Sequence, residues 1–141
     1  MHYIDTSIIA AILLRDPESK RAENLLDSLR SEDRCLSAWT GVELFSAIGR
    51  RARTREMTSK AAANARLLYF EEFAAKLILL PIGTPDFERA CALLAIEGTG
   101  LRGGDALHLA IALNRGVTSF RTLDKSLRKI AIQMGLSAPS A

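Results

Sequence analysis

LRGGDALHLA, residues 101–110, sets an aspartate at the mouth of a nearly all-apolar segment. Two readings of it are open. In the first, Gly103 and Gly104 make a turn and Asp105 caps a helix, accepting hydrogen bonds from the first free backbone amides. In the second, Asp105 is a functional carboxylate held at a helix start. Either way the apolar run predicts a helix from Asp105 to about Asn114. Asn114-Arg115-Gly116 stops it, because glycine tolerates left-handed backbone.

Upstream, MHYID reads as a short strand and TSIIAAILL as the helix behind it. Asp16-Pro17 opens a second helix with Asp at N-cap and Pro at N1, and Ala22, Leu25, Leu26 and Leu29 share its apolar face. Residues 35–38 form a short strand, followed by a helix from about Trp39 to Arg53. Met57, Ala61, Ala65, Leu68 and Tyr69 mark a helix ending near Lys76. Leu77 to Ile82 is a continuous apolar run, as in a strand covered on both faces. Thr84-Pro85 opens another helix, with Phe87, Ala90, Cys91 and Leu94 expected inside. Downstream of residue 110, Val117 to Phe120 is a strand, and Asp124 starts a helix with Leu127, Ile130, Ala131 and Met134 inward. The tail from Leu136 to Ala141 is expected to give an edge strand or to fray.

Strands alternate with helices and no hairpin signal separates them. This predicts a three-layer α/β/α sandwich around a parallel sheet of four or five strands. No repeat, linker or low-complexity tract divides the 141 residues, so residues 1–141 read as one domain. The chain is 48% apolar with a formal charge of +3, which excludes disorder and permits an anionic partner. Arg50, Arg51, Arg53 and Arg55 form a basic run, read as a solvated helix end or as a phosphate contact, with the first preferred. The two cysteines, Cys35 and Cys91, lie far apart without CxxC spacing. They read as buried free thiols of a reducing cytoplasm. No signal peptide is visible, and Ile8 to Leu14 is too short to span a bilayer, so a cytoplasmic protein without membrane contact is expected.

In an open parallel sheet, ligands bind beyond the carboxyl ends of the strands. Asp5 ends the first strand, Asp124 closely follows the Val117–Phe120 strand, and Asp105 opens a helix that runs back into that strand. Each is a plausible N-cap alone, yet the three can share one rim. Carboxylates packed together repel unless a cation joins them. An all-oxygen set with no His/Cys partners points to Mg²⁺ or Mn²⁺ and away from zinc. His108, one turn beyond Asp105, reads as a core or supporting histidine. Glu43 shares a helix side with Thr40, Ser46 and Arg50 and, from spacing alone, reads as exposed.

The stretches YIDTSIIAAIL, SAWTGVELFSAI, LRGGDALHLAIAL and SFRTLDKSLRKIA, in this order, resemble the PIN-domain ribonucleases, and among them the VapC-type toxins of type II toxin–antitoxin pairs. Together they cover nearly the whole chain. DTS alone is weak; LRxxDALHLA with a downstream TLD is far more specific. The resemblance implies an acidic metal site of Asp5, Glu43, Asp105 and Asp124. Thr6 and Thr122 match hydroxyl residues beside the acids, with structural capping the competing role. The implied activity is Mg²⁺- or Mn²⁺-dependent hydrolysis of RNA by an activated water. Positive charge should guide the substrate. Arg102 is the first candidate, and Arg15, Arg121 and Arg50 are fainter ones.

A homodimer and a cognate antitoxin are also implied, with promoter DNA reached only through the antitoxin. The helices Asp16–Arg30 and Arg55–Lys76 are candidates for partner contact, although most of their apolar residues are expected in the core. Three rivals remain. A housekeeping RNA-processing PIN nuclease would keep the fold without the toxin role. An aspartyl-phosphate phosphatase is disfavoured because DTS lacks a second aspartate two residues on. An inactive RNA- or protein-binding module is disfavoured because all four acids are present.

Overall fold

The structure is a computed structural model describing residues 1–140. Strand β1 (His2–Ile4) leads into helices α1 (Thr6–Leu13) and α2 (Ser19–Asp27). Strand β2 (Arg34–Ser37) follows, then α3 (Ala38–Arg53) and α4 (Ser59–Leu68), which runs into a π-helical turn at Tyr69–Ala74. Next come β3 (Ile78–Leu80), α5 (Thr84–Leu94), α6 (Gly103–Asn114), β4 (Ser119–Arg121) and α7 (Lys125–Gln133). The four strands are all parallel, in the order β3-β2-β1-β4. This is the expected α/β architecture with its lower strand number.

The strand order explains the layers. From β1 to β2 to β3 the chain steps in one direction, and right-handed crossovers put α1 to α4 on one face. From β3 it returns past β1 to β4, so α5 and α6 cross the other face. Side chains alternate accordingly. Ile4 and Leu36 join Ile8, Leu25, Leu44, Ile48 and Ala65 on the first side. Tyr3, Cys35, Leu80 and Phe120 join α6 and the inner sides of α5 and α7 on the second. Tyr3 and Phe120 are register neighbours, and their rings stack with centroids 5.5 Å apart. The direction of winding reverses between β1 and β4, the place where open parallel sheets form a crevice.

Helix α6 is buried continuously from Ala106 to Ala112, which accounts for its apolar composition. Three alanines in that run let neighbouring elements approach closely. Its Leu107, Leu109 and Ile111 each contribute about 1.5–3 kcal/mol of burial before entropy is counted. The apolar residues expected inside α2, namely Ala22, Leu25, Leu26 and Leu29, are buried in this chain's own core.

Several expectations are corrected. Helix α2 begins at Ser19, not Pro17, because Asp16 is drawn into an ion pair with Arg51 at 2.8 Å. Ala61 is exposed and Ala62 takes the inward position on α4. Strand β3 is an edge strand, so Ile78 and Leu79 stand 40% and 48% exposed instead of covered on both faces. On α5 the buried residues are Asp86, Ala90 and Leu93, whereas Phe87, Cys91 and Leu94 face outward. Only Cys35 of the two thiols is therefore buried. Residues 136–140 form no strand, although Ser137 accepts a bond from the Phe120 N–H at 2.8 Å; Ala141 lies outside the described residues.

The rotated face of α5 has a cause that the cap pattern hid. Asp86, 1% exposed, accepts from Gly83 N–H at 2.9 Å and Asn114 Nδ2 at 2.8 Å. The Arg115 guanidinium reaches both of its carboxylate oxygens, at 3.4 and 3.3 Å, and donates to the Pro81 carbonyl. This clasp ties the start of α5 to the end of α6. Burial pushes the Asp86 carboxyl up, but Asn114, Gly83 and Arg115 outweigh it and hold the group below the usual range. A depressed folded-state pKa stabilises above the unfolded value and is lost as pH falls through the folded one. Asp86→Ala should therefore cost about 2–3 kcal/mol at neutral pH. In urea melts the gap from wild type should narrow below about pH 4; a gap that widens in acid would refute the clasp.

Candidate functional site

Each acid of the predicted set stands at the carboxyl edge of the sheet, delivered by a different element. Asp5 follows β1 and caps α1 in extended backbone. Its Oδ2 accepts from Ser7 N–H at 3.3 Å, Ser7 Oγ at 2.6 Å and Thr122 Oγ1 at 2.9 Å. Asp124 follows β4 and caps α7, with Oδ1 accepting from the N–H groups of Ser126 and Leu127. Thr122 joins the two, since its hydroxyl donates to Asp5 and accepts from Asp124 N–H at 3.0 Å. Thr122 thus supports Asp5 and shapes the turn into Asp124, while the cap of α7 is Asp124 itself.

Asp105 is not the N-cap. That place belongs to Arg102, in extended backbone with no side-chain cap, and Asp105 lies within the first turn. Its carboxylate accepts no hydrogen bond from the described residues. The capping reading of LRGGDALHLA thus fails.

Glu43, expected outside, is half-buried with its side chain 28% exposed. Its Oε2 accepts from Thr6 Oγ1 at 2.6 Å and meets His108 Nε2 at 2.7 Å. The helical wheel missed this because the neighbour of that face is the first turn of α6, where Gly104 has no side chain. A Cβ at Gly104 would overlap Glu43 Oε1. Trp39, unremarked in the sequence, turns a buried indole N–H toward the same carboxylate without completing a hydrogen bond.

His108 is fully buried and organises the site from below. Its Nε2 contacts Glu43, lies 3.0 Å from Thr6 Oγ1 and 3.6 Å from Asp5 Oδ1. Its Nδ1 is 2.7 Å from the hydroxyl of Tyr3, which itself donates to Ser37 Oγ. Donation from both ring nitrogens, the arrangement of the protonated ring, would satisfy Glu43 and Tyr3 together. Burial opposes this charge, but the hydrogen bond to Glu43 and the charges of Asp5, Glu43 and Asp105 raise its pKa overall. Glu43 moves the other way: burial pushes it up, and His108, Thr6 and Trp39 more than reverse that. Asp105 is pushed up by burial, then by Asp5, Glu43 and Asp124, with only His108 opposing.

A pocket of 480 Å³ opens over these groups. Glu43, Asp105 and Asp124 line it, with Arg102 and Gly104 at the loop side and Ser126 on α7. Asp5 lies behind them, 4% exposed. Arg102 is exposed at the rim. Two of the fainter arginines are elsewhere: Arg15 follows the far end of α1, and Arg121 donates to Ser119 in a hollow shared with Arg21. Among the described residues no three Asp, Glu, His or Cys side chains stand close enough together to hold a metal ion as they are placed. The protein uses one oxygen each of Asp5, Glu43 and Asp124. Asp5 Oδ1, Glu43 Oε1, Asp124 Oδ2 and both oxygens of Asp105 accept no hydrogen bond among the described residues. An all-carboxylate donor set of this kind suits a hard cation.

Two outcomes follow. Gly104→Ala should displace Glu43 from His108, lowering the melting temperature, and the His108 imidazolium should titrate at lower pH in side-chain NMR; an unchanged titration would show that Glu43 does not need the notch. Because the folded state raises the Asp105 pKa, ionising it destabilises the fold. Metal-free Asp105→Asn should melt higher than wild type, with the difference growing as pH rises through the carboxylate range. Equal melting temperatures at neutral pH would deny the crowding.

The PIN domain family model matches residues 2–133. No curated protein matches the chain. Among solved structures, VapC20 of Mycobacterium tuberculosis, a Sarcin-Ricin loop cleaving toxin, is 18% identical with a TM-score of 0.74, covering 92% of this chain and 95% of its own. FitAcB from Neisseria gonorrhoeae gives 22% and 0.72, covering 99% and 97%. VapBC2 from Rickettsia felis, bound to a DNA fragment from its promoter, gives 18% and 0.69, covering 99% and 98%. At these identities the structures speak to the fold. The family match extends over almost all of the sequence, and the chain belongs to the PIN domain family.

Proposed function

We propose that this protein is a metal-dependent endoribonuclease of the VapC toxin type, acting through Asp5, Glu43, Asp105 and Asp124. The observation that carries the reading is the acidic pocket itself, lined by Glu43, Asp105 and Asp124 with Asp5 buried behind them, and with Asp105 crowded by the other three. A phosphodiester approaching such a rim is repelled unless a cation intervenes. The unused oxygens of the four acids would hold Mg²⁺ or Mn²⁺. When bound, such an ion polarises a phosphoryl oxygen and lowers the pKa of a coordinated water.

The chain's own residues prepare that chemistry. Thr122 and Ser7 fix Asp5, and Thr6 and His108 fix Glu43, so the free oxygens point where the fold sets them. Arg102 at the rim contacts a substrate phosphate. Attack by water fits the histidine count. His108 is buried behind Glu43, and His2 is bonded to Ser119 at the opposite end of β1. No pair of exposed imidazoles is placed to activate a 2′-hydroxyl.

The likeness to VapC20, a Sarcin-Ricin loop cleaving toxin, and to a toxin-antitoxin complex from Klebsiella pneumoniae supports a toxin role with a cognate antitoxin; a cytoplasmic place and DNA met only through that partner belong to the same reading. A homodimer belongs to the same reading. Free apolar surface supports a protein contact: Val42, Phe45, Phe70 and Leu79 line an open groove of 310 Å³. No helix among the described residues is long and apolar enough to cross a membrane.

Purified protein with Mn²⁺ should cut RNA to 5′-phosphate and 3′-hydroxyl ends, stop with a chelator, and still cut a strand whose scissile 2′-hydroxyl is replaced by hydrogen. Asp5→Asn and Asp105→Asn should each lower the rate by at least about a hundredfold. A cyclic phosphate product, full dependence on the 2′-hydroxyl, or a trapped phosphoryl group on Asp5 would overturn the proposal.

A further inference from the structure

Two hollows meet at Glu43. One is the acidic pocket. The other, of 350 Å³, runs along α3 and is lined by Trp39, Val42, Glu43, Ser46, Ala47 and Arg50. The spacing of these six makes one continuous stripe of the helix. Arg50 lies two turns beyond Glu43, roughly 10 Å along the axis. A stacked strand covers that in about three nucleotides at ~3.4 Å each.

The basic run around Arg50 divides by what each side chain does. Arg51 is spent on Asp16. Arg53 folds back toward Gly49, and Arg55 sits in left-handed backbone past the helix end. Arg50 alone lines the hollow, exposed and without an ion pair among the described residues. Across the acidic pocket, Arg102 is exposed and unpaired in the same way. Each of the two hollows that meet at Glu43 is thus lined by a free guanidinium. Between them Trp39 is half-buried and Ser46 offers a hydroxyl.

We propose that the two hollows form one track for a single RNA strand, held by Arg102 on one side of the acids and by Arg50 on the other. The proposal rests on the ribonuclease reading above. A repeating anion is the ligand that such spacing fits, because its neighbouring phosphates reach past the carboxylates that repel the central one. Trp39 borders the track where a base can stack on its ring.

The test compares an unstructured RNA of about twelve nucleotides with one of about three, which fills the acidic pocket alone. On the longer RNA, Arg50→Ala should raise KM five- to tenfold, leave kcat unchanged, and flatten the slope of log affinity against log salt by about 0.7. The short RNA should be cut as by wild type. Arg50→Lys should recover most of the affinity, and Arg53→Ala should change nothing. Three results overturn the track: Arg50→Ala equal to wild type on the longer RNA, equal losses on both lengths, or the same loss from Arg53→Ala. An Arg50→Ala that weakens antitoxin capture while sparing RNA would assign the hollow to a protein and also overturn it. Should wild type itself cut no RNA with Mn²⁺, the ribonuclease reading falls first; a wild type that cuts while Arg50→Ala cuts equally well removes the track alone.

Discussion

Three carboxylates lining one pocket and a fourth buried behind them repel one another, and the rest of the site is arranged around that repulsion. The offsetting charges are few and well placed. His108 puts a buried cation against Glu43 and within 3.6 Å of Asp5. Helices α1, α6 and α7 all start at this edge, so three partial positive charges face the acids. Hydroxyls of Thr6, Ser7 and Thr122 donate to the carboxylates that are most enclosed. The result is unequal. Glu43 is held charged, while Asp105 is pushed toward neutrality. Neighbouring acids with opposite shifts are what a site shows when its own cations satisfy part of the cluster and leave the remainder for a ligand.

The sheet makes this crowding possible. β1 and β4 are adjacent in space but lie at opposite ends of the chain, and the winding reverses between them. Asp5 and Asp124 leave those two strands, and the hydroxyl of Thr122 bridges the gap. For both aspartates the cap uses one carboxylate oxygen and leaves the other without a hydrogen bond. Asp105 has no capping bond, so nothing in the fold's own accounting calls for a charge there.

How legible was this? The alternation of strands and helices was plain because each element carries its own period, and the parallel sheet followed from it. The rim position of Asp5 and Asp124 was legible for the same reason: both directly follow strands. Glu43 was not, since a helical wheel ranks faces by polarity and cannot know that Gly104 offers a notch to receive a carboxylate. Only the family resemblance pointed to it. The inward face of α5 was misread for a related reason. Asp86 is buried by partners at residues 83, 114 and 115, and periodicity assigns a charged residue to the outside. Strand β3 was read as covered because an apolar run does not reveal that its strand is last in the sheet.

The helix that opened the sequence reading shows why site and core are one construction. A neutral, unpartnered imidazole in the middle of α6 would cost the core dearly. His108 is tolerable there because Tyr3 on β1 takes one nitrogen and Glu43 on α3 takes the other. Tyr3 is itself packed against Phe120 and bonded to Ser37, so strands β1, β2 and β4 all contribute to holding one ring. The charge at the mouth of α6 and the histidine within it therefore answer each other. The buried cation lets carboxylates gather at the edge, and their negative potential keeps that cation charged inside an apolar helix. Glu43 and His108 are thus interdependent, whereas Asp105, opposed by three carboxylates and relieved only by His108, is a charge that the fold itself does not require.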